Sequence, residues 1–593
     1  MSNLTELLPA GGGGKNVNFV ASGTLPSGQA VALKTDGTVT AITGQVGAAT
    51  TYAAGGNSEP RVGMCFDPDS NKVVIAYRDA ANSNHGYAIV GTVSGTSISF
   101  GTAVAFYSGS AINGSPAAAY DTTANKVVIT YVYSNQLHAI VGTVSGTSIS
   151  FGSTANISAS PGYIDSVYDS SANKTLVSYS NGLNSNYPTV VAISVSGTTP
   201  SFGSQVVVVS AGVQNTSLSY DTTANKSSLV ITNQSSNYFK AYVITISGTT
   251  PSAGSVTSFG TFSNGVDGLS TAYDPDINRH IVVFRDRTSG ASQYFSNYII
   301  FQISGTSIIN NTAAAAFTNF NGGNPRIDYD TAANKVVVIY NNVPAGYTVE
   351  AKVGAVTTSS ITFGDPITIS TGTVYTFGVI YDPTANKTVV ALGTVASANN
   401  DSQALVFNLT GVPNTDFIGI TDADIANAAS GSVTIKGGIS TIKGGTYTIT
   451  VVNSGSGNKY AINGVEQAVL NLYEGATYKF DQSSGTNAGH PFRFSTTADG
   501  THGGGSEYTT GVTTSGTPGN AGAYTQLIVA SGAPTLYYYC SVHSGMGGTA
   551  NTLAIVPNSN YYVQADGTLT TTTSTVLAGR ALSSTSINLD YTT

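Results

Sequence analysis

The sequence predicts an all-β chain of several domains, and three observations carry that expectation. At 593 residues the chain exceeds what one core supports. Charged residues make up 9% and hydrophobic residues 41%, with 34 tyrosines and 68 glycines, a composition suited to short strands joined by tight turns rather than to disorder. A unit of about fifty residues also recurs along the first two thirds, and no long stretch has helical periodicity, the nearest candidate being the short run Thr421–Ala429.

The repeat comes first. Ile89–Gly101 recurs letter for letter at Ile140–Gly152, with looser copies at Val191–Gly203, Val243–Gly254, Ile299–Ile308, Lys352–Gly364 and Ala404–Val412. Before each copy stands a second signature: an aromatic residue, an Asp, then Asn-Lys (Asn278-Arg279 in the fifth unit) and an apolar run. The aspartates are Asp67, Asp121, Asp169, Asp221, Asp274, Asp330 and Asp382, spaced 48 (121 to 169) to 56 (274 to 330) residues apart. Seven units follow. Each reads as four strands, as in Pro116–Tyr120, Lys126–Tyr131, Leu137–Val144 and Ser148–Phe151. Four strands at this period predict a seven-bladed β-propeller.

Ring closure comes next. After Ala404–Leu409 the chain runs into Gly411-Val412-Pro413-Asn414 with no clear fourth strand. Val39–Thr51 resembles the fourth-strand segments, and Gly55–Pro60 echoes Asn113–Pro116. An N-terminal strand is therefore expected to complete the seventh blade, which would remove the open edges that invite aggregation.

From about Gly444 the pattern changes to a sandwich. Thr446–Val452, Gln467–Leu472 and Ala476–Phe480 alternate as strands, Asp481–Gly489 is a polar loop before His490, and Thr535–Tyr539 is a tyrosine-rich strand that delivers Cys540. The remaining pieces, Phe417–Gly438 and Tyr561–Thr585, read as one small β-domain interrupted by the sandwich. Gly28–Thr38 shares the texture of its Asp566-Gly567-Thr568 hairpin. The expected division is 1–38 for an N-terminal arm and part of a base, 39–411 for the propeller, 412–442 and 555–593 for the discontinuous base, and 443–554 for the sandwich.

Chemistry concentrates in one place. The chain has two cysteines, three methionines and six histidines, and Cys540, His543 and Met546 fall within seven residues as C-x-x-H-x-x-M. His490 lies upstream in Gly489-His490-Pro491-Phe492. Thiolate, two imidazoles and a weak thioether are the donors of a mononuclear blue-copper site. Gly545, Gly547 and Gly548 let the loop turn sharply. A sandwich that keeps these residues for packing and binds no metal is the bland alternative. His502 reads as a loop residue, and His85, His138 and His280 show no motif spacing. The Asp67-Pro68-Asp69 and Asp274-Pro275-Asp276 turns could hold calcium, but hairpin turns explain them, because other units carry Thr or Ser at the second acidic position.

These residues resemble the cupredoxin family over 443–554, with a short ligand loop similar to that of amicyanin-like members. The resemblance implies Cys540 as thiolate ligand, His490 and His543 as imidazole ligands, Met546 as weak axial ligand and a single copper ion as cofactor. A propeller joined to a cupredoxin also resembles nitrous oxide reductase. That enzyme's dinuclear centre needs two cysteines in this loop, and its cluster needs many propeller histidines. Here the loop has Cys540 alone and the propeller three histidines. Multicopper oxidases and nitrite reductases need histidines that are missing.

The base segments, together with Leu7–Lys15, resemble modules of tail-fibre-like and head-surface proteins of marine tailed bacteriophages. That resemblance implies a non-enzymatic virion surface protein, attached to other virion proteins and displaying its β-domains toward a host-surface glycan or receptor. It also implies a homo-oligomer. A copper-binding electron carrier with a propeller platform is the alternative, and a glycan-cleaving propeller lacks a repeated carboxylate constellation. The net charge of −8 and the absence of a Lys/Arg cluster argue against nucleic acid. No apolar run approaches membrane-spanning length. Met1–Pro9 has neither the basic region nor the apolar core of a secretory signal, so export by the usual route is not expected. Cys65, in the apolar run Val62–Phe66, is expected to be a buried thiol.

Overall fold

The Asp and Asn of the repeat decide where each blade turns. In a computed structural model of the protein, the Asp carboxylate of all seven units accepts the backbone N–H groups two and three residues on, as Asp121 does from Thr123 and Ala124 at 3.0 and 2.9 Å. The Asn that follows adopts left-handed φ in every unit, from 52 to 54° at Asn71, Asn125, Asn173, Asn225, Asn278, Asn334 and Asn386. The signature is thus a self-capped hairpin turn. Asp69 and Asp276 are turn residues, and the Asp276 carboxylate accepts the Tyr329 hydroxyl at 3.0 Å.

The structure describes residues 16–589 except 26, 35, 43–45, 55–61, 234–237, 261, 263–264, 288–293, 375–376, 394–400, 410–416, 436–437, 454–456, 565–567 and 573–575. The Leu7–Lys15 segment, the Gly55–Pro60 echo, Gly411–Asn414 and Asp566-Gly567 lie outside the described residues. The fold is all-β: a seven-bladed propeller, a cupredoxin-like sandwich and a discontinuous β base. The chain forms two compact units, 48–409 and 1–47 with 410–593.

In the first unit each hairpin turn joins the first two strands of a blade. Blade 2 shows the pattern, with Asn113–Asp121, Lys126–Tyr133, Gln136–Ser145 and Ser148–Ser158 paired antiparallel in that order. First strands of successive blades pack side by side, and the seventh, Phe377–Asp382, returns to the first, Gly63–Asp67, so the ring is closed. The fourth strand of the last blade is Thr50–Ala53, which pairs with Ser402–Phe407. Val39–Ala41, at the start of the segment read as that strand, pairs instead with Ala30–Leu33.

Tyrosines of the signature tie blades 3 to 7 each to the one before. The Tyr168 hydroxyl donates to Thr123 Oγ1 at 2.7 Å and that of Tyr273 to Thr223 Oγ1 at 2.9 Å, while Tyr220 and Tyr381 accept the backbone N–H groups of Ser171 and Ala332. Blade 1 carries Phe66 at this position, and Thr384 Oγ1 donating to Asn71 Oδ1 at 2.8 Å links the seventh blade to it. Cys65 is buried, as read, and burial pushes its thiol pKa well up.

In the second unit, one five-stranded sheet joins Asn16–Val20, Ser430–Ile435, Phe417–Thr421, Ala30–Leu33 and Val39–Ala41. A second joins Ile439–Thr441, Ser586–Leu589, Leu577–Ala581, Asn560–Val563 and Leu569–Thr570. The sandwich lies between these segments in sequence. Its six-stranded sheet contains the parallel pair Thr446–Asn453 and Thr477–Asp481, and its four-stranded sheet the parallel pair Leu470–Tyr473 and Gly548–Leu553. One apolar core runs from Phe480, Phe492 and Tyr538 in the sandwich to Val563 and Leu589 in the base. Among the described residues no helix is long and apolar enough to cross a membrane.

Candidate metal centre

Two neighbouring strands bring distant residues together. Phe492–Ser495 pairs antiparallel with Leu536–Cys540, with Phe492 opposite Cys540. His490, two residues before the first strand, therefore lands beside the thiol at the end of the second. The loop 541–547 then folds back, and the Met546 carbonyl accepts the Tyr460 N–H at 2.9 Å. Gly545 turns it with φ +71°, and Gly547 passes so close to the Tyr538 carbonyl that a Cβ would overlap it.

The donor atoms converge. Cys540 Sγ lies 3.8 Å from His490 Nδ1 and 3.7 Å from His543 Nδ1, and the three ligand atoms lie within 4.8 Å of one another. Among the described residues this is the one group of three His, Cys, Asp or Glu side chains so placed. Cys540 is fully buried, His490 is 9% exposed, Met546 is 1% exposed in the same core as Cys540, and His543 reaches solvent. Three of the residues singled out from the sequence, His490, Cys540 and His543, thus bring their ligand atoms together, and Met546 follows in the same loop with its side chain in the core.

Burial, and then the neighbouring His543, lower the pKa of His490. Both act against the charged imidazolium form. The His490 backbone is fixed through its carbonyl, which accepts from the Tyr460 hydroxyl and from Gln482 Nε2, both at 2.9 Å. Asn458 Nδ2 stands 3.4 Å from His490 Nε2, the ring nitrogen turned away from the thiol.

Sequence reading missed the residues that hold the ligand loop. Asp499 Oδ1 accepts the Gly545 N–H at 2.8 Å, Lys459 Nζ donates to the Gly545 carbonyl at 2.5 Å, and Gln467 Nε2 donates to the carbonyls of Gly545 and Gly547. His502, read as a loop residue, places Nε2 3.1 Å from the Cys540 carbonyl. The one sequence signal was Asp499-Gly500 in a Gly-rich loop, where both residues adopt positive φ. Lys459 and Gln467 carried none, because a strand end and a turn reveal nothing of a loop eighty residues away.

The donor set fits a copper ion. One buried sulfur, two imidazole nitrogens and a buried thioether are soft to borderline ligands, with no carboxylate among them. Geometry alone admits zinc as well, since Cys and His also bind it.

No protein-family model matches the chain, and no curated protein matches it. Among solved structures it is similar to a fungal alcohol oxidase of the AA5 family in complex with copper (11% identity, 86% of this chain and 100% of that one, TM-score 0.38). It is also similar to the NanB sialidase of Streptococcus pneumoniae (11% identity, 62% and 70%, TM-score 0.36) and to a protein from Lactobacillus plantarum (13% identity, 61% and 98%, TM-score 0.38). At these values none of them bears on what this chain does.

Proposed function

We propose that the cupredoxin-like domain binds a single copper ion through Cys540, His490 and His543, with the Met546 thioether as a further, weaker donor, and that the centre carries electrons and performs no catalysis. The observation that supports this most is the convergence of a fully buried thiol and two imidazole nitrogens within 4.8 Å. Copper would supply a one-electron couple. The chain's own residues do the rest. The strand pairing sets Cys540 against His490, and the bonds to the His490 carbonyl fix that histidine's backbone. Exposed His543 offers an edge through which an electron can pass, while the buried Met546 side restricts water. Native mass spectrometry after incubation with Cu(II) is expected to show one copper per chain, and none in Cys540→Ser. Equal uptake by both proteins would overturn the reading.

A second reading concerns the whole chain: a virion surface protein of a tailed phage, held to other virion proteins as a homo-oligomer and displaying its modules toward a host-surface glycan or receptor. The observation that favours it is the base itself. Its sheets are assembled from segments at 16–41, 417–441 and 560–589, so both larger modules enter the sequence as insertions into it. Immunogold labelling of purified particles with an antibody to the propeller tests this. Gold at a fixed place on head or tail is expected, and particles without gold would contradict it. The two readings are compatible, since a displayed domain can hold copper.

A further inference from the structure

We infer that Asp499 is a positioning residue for the metal centre: its carboxylate, with Lys459 opposite, clamps the Gly545 peptide and holds the Cys540–Met546 loop in its ligating shape before any metal arrives. This rests on the copper reading and adds to it the means by which the loop is preorganised.

Gly545 is exposed and sits between two ligands, His543 and Met546, at φ +71°. A glycine in an exposed loop is the place where such a loop would lose its shape most easily, because it has the most conformations to visit. Here both ends of its backbone are held by charged groups. Asp499 accepts the N–H at 2.8 Å and Lys459 donates to the carbonyl at 2.5 Å, while Gln467 bonds the carbonyls of Gly545 and Gly547. Hydrogen bonds with one ionised partner are stronger than neutral ones.

Asp499 is itself fixed. It takes left-handed φ at +58°, and its carbonyl accepts the N–H of His502 at 3.1 Å and of Gly503 at 3.4 Å. The next residue, Gly500, lies against the Tyr539 ring so closely that a Cβ would collide with it. From the same segment, His502 Nε2 lies 3.1 Å from the Cys540 carbonyl. One short segment, 499–502, therefore touches both ends of the ligand loop. Its contacts with both ends of that loop assign it positioning as its physical role. Outer partners of metal ligands typically change affinity by 10–100-fold when removed.

The test compares wild type with Asp499→Ala, Asp499→Asn and Lys459→Met. In the metal-free proteins, hydrogen exchange at the Gly545 amide is expected to speed up at least tenfold in Asp499→Ala, with the amides of Leu536–Cys540 unchanged, and to stay near wild type in Asp499→Asn, which keeps an acceptor oxygen. With Cu(II), Asp499→Ala is expected to bind about tenfold more weakly and to show a shifted, broadened thiolate-to-copper band. Asp499→Asn is expected to restore most of both, and Lys459→Met to fall between. Unchanged exchange at Gly545 in Asp499→Ala would overturn the proposal, as would unchanged copper affinity and band shape. If the wild type takes up no copper the copper reading fails, while the exchange arm still decides whether Asp499 holds the loop.

Discussion

At the scale of residues, the centre depends on which atoms the strands deliver to one point. Cys540 Sγ lies 3.8 and 3.7 Å from the Nδ1 atoms of His490 and His543, so its replacement by serine is expected to remove copper colour outright. Met546 is buried and would give the proposed copper only a weak bond, so Met546→Leu is expected to keep the colour and change the reduction potential, measured by voltammetry. An unchanged potential would place Met546 in the core alone. Gly547→Ala is expected to destabilise the domain by roughly 1–3 kcal/mol, because a Cβ meets the Tyr538 carbonyl and neither backbone has room to yield. Urea unfolding measures that loss. The four candidate ligands were legible in the sequence because rare residue types cluster there. Asp499, Lys459 and Gln467 were not, because a side chain that bonds a distant backbone leaves no spacing to read.

At the scale of elements, the repeat signature translates directly into a turn. An Asp that caps two N–H groups and an Asn in left-handed φ are local chemistry, which is why all seven turns could be placed from sequence. Contacts between elements were harder to foresee. His280 showed no motif, yet it is fully enclosed in the structure, with Nδ1 2.8 Å from Ser219 Oγ and Nε2 3.4 Å from the Asp221 carboxylate. Burial lowers its pKa, against the opposing pull of Asp221. An imidazole that ionises less readily folded than unfolded makes the unfolded state bind more protons, so stability is lost as pH falls below about 6.5. His280→Gln is expected to flatten that part of a melting-temperature profile taken against pH. An identical slope in the variant would show that His280 does not set it.

At the scale of the whole molecule, the chain makes two units that each close on themselves. The propeller ring closes through Thr50–Ala53, whose Tyr52 is buried and meets Tyr77 edge to face at 5.3 Å. Tyr52→Ala is expected to cost about 3–5 kcal/mol and to lower the unfolding temperature of the propeller alone. The sequence placed the closing strand near the right segment but could not separate it from Val39–Ala41, since both are short apolar runs with the same texture. The base was legible as pieces. Its pairing of Asn16–Val20 with Ser430–Ile435 was not, because nothing in two short strands four hundred residues apart announces that they meet. The candidate metal centre lies wholly within the second unit.

The measurement that tests the central claim most directly is an optical and spin-resonance titration of the purified protein with Cu(II). The expected result is saturation at one equivalent, with an intense visible thiolate-to-copper charge-transfer band that disappears in Cys540→Ser and weakens in His490→Ala and His543→Ala. A protein that stays colourless at saturating copper, or one whose copper signal survives without Cys540, would contradict the assignment of these residues as a copper centre.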